Sequence, residues 1–195
     1  IVSDQPLPQA FLDRAKNQHL QLAQTIVFPS MATVGSHSKL ASLKAVSPQY
    51  PLRGALRVQS KSQVKSFSSG PEQGFVWVDP AMLASLHAKE GDTISLGRKT
   101  FVIGGVLERE LDRGAGFMNF APRVMMNLAD LNDTGLIGLG SRVTYRLLLA
   151  GPDTEIDSYG SWANQYIEKE SLKGVRIETL ENAQPLMRKT LERAE

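Results

Sequence analysis

The chain has no cysteine in its 195 residues, which removes thiolate nucleophiles, thiolate-bound zinc and disulfide staples together. It has no apolar run near the roughly eighteen residues that a membrane-crossing helix needs. It has no surplus of charge: 22 Lys/Arg stand against 20 Asp/Glu, a net of +2. The signs are interleaved, so no basic stripe exists to neutralise a line of phosphates, and nucleic acid is not an expected partner. Aromatic residues are few, at 7%. What remains is ordinary for a globular protein: 42% hydrophobic, 22% charged, no low-complexity tract, and length for one domain or two small ones.

Catalytic signatures are missing as well. No G-x-S-x-G elbow occurs, and neither Gly35-Ser36-His37 nor Ser68-Ser69-Gly70 has the strand–turn–helix setting that exposes a serine nucleophile. The glycines at 104–105 and 114–116 open no phosphate loop, and no G-K-[ST] follows them. His19, His37 and His87 fall in a helix, a turn and a helix end, none with a second ligand at i+4, so the expectation is surface or capping roles and no metal site. Glu108, Glu110 and Asp112 alternate with Arg109 and Arg113, the pattern of a solvated, self-neutralising strand edge. Asp92 suits a turn. No residue is assigned to catalysis or to a cofactor.

Residues 8–21, with Phe11, Leu12, Ala15 and Leu20 near one face, predict a helix opened by Pro8. QTIVFPSMATVG and KLASLKAV, separated by small polar residues, predict a hairpin that Pro29 should interrupt or bulge. SKSQVKSFSSGPEQG is Ser/Gly-rich with few large apolar residues and predicts a boundary. Beyond it, FVWV predicts a strand, and Asp79-Pro80 an N-cap carboxylate and first-turn proline for a short helix. Residues 90–110 predict strand, tight turn and strand. SRVTYRLLLAG, the amphipathic DTEIDSYGSWANQYIEKE, GVRIETL and a last helix follow. The order gives an α+β fold: outer pieces forming one α/β unit, with a β-rich stretch inserted. The alternative is one continuous domain.

Both ends look cut. IVSDQPLP opens without a start signal, and the terminal helical periodicity of Leu186, Met187, Thr190, Leu191 and Ala194 has no Gly or Pro stop. The expectation is a piece of a longer protein; the alternative is a processed chain with frayed ends.

Several blocks together carry a resemblance. SDQPLP, FPSM at 28–31, KAVSPQYPLRGALRV at 44–58, residues 76–114 and NFAPRVMMNLADLNDTGLI at 119–137 resemble the first large extracytoplasmic segment of FtsX/MacB-type ABC transporter permeases. The first three are similar to the subfamily discussed with a periplasmic esterase/lysophospholipase. The resemblance spans nearly the whole chain. It implies a MacB-like periplasmic core domain between two transmembrane helices: a discontinuous porter-like α/β lobe, 1–58 and 141–195, and an inserted β-rich sabre-like lobe, 59–140. It implies the periplasmic face of the bacterial inner membrane, a cytoplasmic ABC ATPase reached through the membrane part, and a second permease copy. A periplasmic esterase/lysophospholipase or other soluble partner and a hydrophobic or lipidic cargo belong to the same implication. The domain itself would be non-catalytic, coupling ATP hydrolysis to extraction or export. A freestanding periplasmic binding or scaffold module, and an esterase-like enzyme with an unrecognised site, are the readings from other classes.

GAGFMNFAPRVMMNLADL, residues 114–131, is the one apolar stretch without an obvious place. Phe117, Met118 and Phe120, flanked by Gly114 and Gly116, suit an adaptable contact tip. With Arg123 they are the candidate partner or cargo contacts. Beyond Pro122, Arg123, Met125 and Met126 lie in a stretch expected to return into the fold. The competing expectation is that the phenylalanines close the β-rich core.

Overall fold

The computed structural model describes residues 1–110, 121–138 and 141–179. In chain order the elements are β1 (Val2–Ser3), α1 (Gln9–Asn17), β2 (Gln21–Val34), β3 (His37–Val46), β4 (Leu56–Ser60), β5 (Gln63–Phe67), β6 (Phe75–Val78) and α2 (Pro80–Leu86). They continue with β7 (Thr93–Leu96), β8 (Lys99–Arg109), β9 (Arg123–Asn127), α3 (Leu131–Thr134), β10 (Thr144–Ala150), α4 (Asp153–Lys169) and β11 (Val175–Arg176). The class is α+β.

Strand pairing closes on itself. β2 pairs β3, β3 pairs β9, β9 pairs β6, β6 pairs β8, β8 pairs β7, and β7 returns to β2. The β3/β9 and β6/β8 contacts are parallel. The ring is therefore a small barrel whose inner face is filled by side chains. Phe28, Ala32, Leu43, Val76, Ile94, Phe101, Ile103, Val124 and Met126 form that core, and Met82 and Leu86 of α2 join it. α3 seats against the β7–β8 turn, where Gly97 (φ 58) leaves no room: a Cβ there would meet the Thr134 carbonyl oxygen at 2.2 Å. Arg98 N–H donates to the same oxygen.

The barrel shares β2 with a second layer. Residues Gln21 to Val27 of β2 pair β10, which pairs β1, which pairs β11. α1 and α4 pack on this sheet through Phe11, Ala15, Leu147, Tyr159 and Ala163. Phe11 makes edge contacts with Trp162 (5.6 Å) and Tyr166 (5.3 Å), and its carbonyl accepts from the buried Tyr159 hydroxyl at 2.8 Å.

Pro29 does not break β2. The register runs without a shift from Thr25↔Val46 to Val34↔His37. The reason is local. Ser42, opposite Pro29, sends its N–H away from β2 to the Pro122 carbonyl, so the pair is of the non-hydrogen-bonded kind and the proline nitrogen faces outward. On that edge β10 ends at Val27 and β7 begins at Ala32, so no ladder bond is lost.

The Ser/Gly-rich stretch read as a boundary contains the turn and the second strand of the β4–β5 hairpin. Lys61 (φ 50) and Ser62 (φ 62) make its two-residue turn, the left-handed pair of a type I′ turn formed without the usual Asn-Gly. β5 is almost wholly exposed. Backbone pairing with β4 holds it, which a search for apolar periodicity misses.

Candidate functional site

β3 ends ALA-Ser-Leu-Lys-Ala-Val in a fully buried run, residues 41–46. Alternation sends Ala41, Leu43 and Ala45 into the barrel core and leaves Ser42 and Lys44 on its outer face. β9 lies parallel alongside, with Arg123 opposite Ser42 and Met125 opposite Lys44. Two cationic side chains are thus buried side by side, a costly arrangement unless countercharge is supplied.

Glu110 supplies it. The residue follows β8 directly, and its side chain is only 2% exposed. One carboxylate oxygen accepts from Lys44 Nζ at 2.6 Å, the other from Arg123 Nε at 2.9 Å. Lys44 also donates to the Tyr50 hydroxyl at 2.9 Å, and Arg123 Nη1 to Ser42 Oγ. Asp79 completes the group. Its carboxylate accepts the Arg123 backbone N–H at 2.7 Å, while its own N–H donates to the Arg123 carbonyl at 2.9 Å.

Two expectations change here. Glu110 belongs to no solvated edge, although Glu108 and Arg109 beside it are exposed; the strand ends at 109 and the next side chain turns in to two buried cations. Asp79 makes no side-chain cap on α2, because its carboxylate is drawn to the Arg123 backbone. Pro80 does occupy the first helical turn.

The cluster joins residues 42–50, 79, 110 and 123, so segments distant in sequence are fixed at one point. It also places Glu110 and Arg123, which flank residues 111–122, in direct contact. Its groups are mutually neutralising cations and carboxylates. That arrangement cross-links; it presents no activated nucleophile among the described residues.

Arg123, a candidate contact residue, is 2% exposed and begins the central strand β9, with Met125 and Met126 also buried. The stretch beyond Pro122 returns into the fold as its sequence suggested. Phe117, Met118 and Phe120 lie outside the described residues. Next to the cluster on the same outer face, Met31 and Leu40 are paired across β2 and β3 and are 51% and 46% exposed, an apolar pair that the sequence reading did not single out.

The histidines are also rearranged. His19 lies just past α1, whereas His37 and His87 are brought together with ring centroids 4.5 Å apart, although fifty residues separate them. No described helix is long and apolar enough to cross a membrane.

This fold, a small closed barrel sharing one strand with an α/β layer, is similar to the folds of two solved extracytoplasmic domains of ABC-type transporters. The chain superposes on the periplasmic region of MacB from Actinobacillus actinomycetemcomitans with a TM-score of 0.56 at 14% identity, covering 96% of this chain and 91% of that one. It superposes on the extracellular domain of the noncanonic ABC-type transporter YknZ from Gram-positive bacteria with a TM-score of 0.54 at 13% identity, covering 83% and 84%. The sequence relationship is to a permease. The chain is homologous to a segment of the uncharacterized ABC transporter permease YbbP of Escherichia coli (strain K12), 37% identical over 160 residues, or 82% of this chain. It spans 19% of that relative's length. No protein-family profile matches the chain.

Proposed function

We propose that this chain is the periplasmic domain of an ABC transporter permease and that it does no chemistry of its own. In this reading it passes movement of membrane-embedded segments, driven by a cytoplasmic ATPase, to a hydrophobic or lipidic cargo or to a soluble partner. A periplasmic esterase/lysophospholipase is the partner suggested by the sequence resemblance. The observation that carries the reading is the 160-residue homology to the YbbP permease. The organisation supports it. A porter-like lobe (1–58 and 141–195) and a sabre-like lobe (59–140) would meet along β2, which pairs β10 of the α/β layer and β3 and β7 of the barrel. Over 14 residues β2 reaches ~45 Å at ~3.3 Å per residue.

The buried Lys44–Glu110–Arg123 group then serves as an anchor for the segment carrying Phe117, Met118 and Phe120, the contact residues of this reading. The exposed Met31–Leu40 pair on the outer face of the barrel would offer a second apolar contact.

This stretch carries no cysteine of its own, so introduced labels can be placed within it selectively. Spin labels are placed on cysteines at the exposed Ser38 alone, and at Ser38 and Asn164 together in one copy, in the full-length permease reconstituted with its ATPase, any other cysteine of the permease being replaced by serine. Between nucleotide states the 38-to-164 distance within one domain stays constant, while the 38-to-38 distance between two copies changes. Constancy of both distances through the ATP cycle contradicts the coupling; a large change within one domain contradicts its moving as one body.

A further inference from the structure

His37 opens β3 immediately after the two-residue turn at Gly35-Ser36, where Gly35 takes φ 56. His87 ends α2 in the left-handed conformation, φ 50 and ψ 41. The hairpin and the helix end are thereby set so that the two rings face each other at 4.5 Å, tilted by 42°. Both residues are exposed. Among the described residues neither ring has a hydrogen-bond partner, so the ring nitrogens are uncommitted.

This separation has a chemical reading. With metal–nitrogen bonds of ~2.0–2.1 Å, a ring centroid sits ~3.2 Å from the ion. Two imidazoles at right angles around it then have centroids ~4.5 Å apart, against ~5.2 Å at the tetrahedral angle. The 42° tilt is not that of a parallel stack, and exposed side chains have the rotamer freedom to bring one nitrogen from each ring to a common point. Imidazole suits nickel and copper(II), and right-angle geometry suits their octahedral and tetragonal coordination.

We propose that His37 and His87 form a two-imidazole site for a divalent transition metal of the nickel or copper(II) type, its other positions filled by water. No group of three or more His, Cys, Asp or Glu gathers among the described residues, so the site is open-sided and exchangeable. In the sequence Lys39 and Lys89 stand two residues beyond His37 and His87, so the site sets imidazole ligands among like-charged neighbours. The ion would staple the start of β3 to the end of α2, on the barrel.

The test uses the untagged chain titrated with Ni²⁺ alone, followed by calorimetry and by paramagnetic broadening of the imidazole ring protons. One ion binds per chain, and the ring signals of His37 and His87 broaden together while those of His19 do not. His37→Gln, at an exposed strand end, and His87→Asn, which tolerates the left-handed backbone, each weaken binding at least tenfold; His19→Gln leaves it unchanged. Circular dichroism of each variant confirms the fold. Absence of saturable binding below about millimolar Ni²⁺, or binding that survives either variant, overturns the site. The readout is independent of transport, so its failure leaves the permease reading untouched.

Discussion

Replacing Glu110 by Gln keeps the shape of the side chain and removes the charge that two buried cations share. Lys44 Nζ and Arg123 Nε lie 2.6 and 2.9 Å from its two oxygens, with all three side chains at most 3% exposed. Taking one partner from such a group costs about 3–5 kcal/mol, because the remaining charges stay buried with less compensation. For a chain of 195 residues, each kcal/mol moves the melting temperature by about 2–4 °C, so the expected fall is roughly 6–20 °C. Differential scanning calorimetry on the purified chain reads it directly. Raising NaCl from 0.05 to 0.5 M changes the difference little, since burial limits screening. Replacing the three groups together by Met, Leu and Met, at Lys44, Glu110 and Arg123, is expected to cost less than Glu110→Gln alone. A melting temperature within about 2 °C of the parent for Glu110→Gln would refute the account of a buried ionic keystone.

Three further outcomes follow from packing and backbone geometry. Tyr159→Phe leaves the Phe11 carbonyl without its 2.8 Å donor and lowers stability by about 1–3 kcal/mol in urea denaturation. Burial pushes the Tyr159 phenol well above the ordinary tyrosine range. With the folded value above the unfolded one, its contribution is complete below pH ~10 and is lost as pH rises toward the folded value; absorbance titration should show a tyrosine step raised above the ordinary range that Tyr159→Phe removes. Gly97→Ala meets the Thr134 carbonyl at 2.2 Å and costs about 1–3 kcal/mol, whereas Gly138→Ala, with nothing within 4 Å, leaves the melting temperature unchanged. Lys61→Asn with Ser62→Gly supplies the residues that the β4–β5 turn prefers at φ 50 and 62 and raises stability by about 0.5–2 kcal/mol.

The parts legible from sequence were those in which local spacing decides. Phe11, Leu12 and Ala15 announced α1, although the helix stops at Asn17 and leaves Leu20 beyond it, the small polar residues after Val34 announced the β2–β3 turn, and residues 90–110 the β7–β8 strand, turn and strand. The barrel was not legible, because its closure depends on two parallel pairings between strands far apart in the chain, and no local pattern encodes them. The polar β4–β5 hairpin escaped for a different reason: its backbone ladder holds it without an apolar face. In the candidate site, the alternating Glu and Arg around 108–113 suggested water, and only tertiary structure shows Glu110 turning inward. A signal was available in ASLKAV. A lysine inside an otherwise apolar strand implies a buried cation with a partner to be found. The His37–His87 pair had no such signal, since each ring is unremarkable until the hairpin and α2 meet.

β2 gives its amides first to β10 and then to β7 while keeping one unbroken register with β3. Sliding the strand by a single position would turn Phe28 from the barrel interior to the outside, so only whole pleats, ~6.6 Å at a time, conserve the inside–outside pattern. Fine longitudinal adjustment is therefore closed to this molecule. Any displacement imposed on the helical side smaller than a pleat must be met by tilting the assembly as a body.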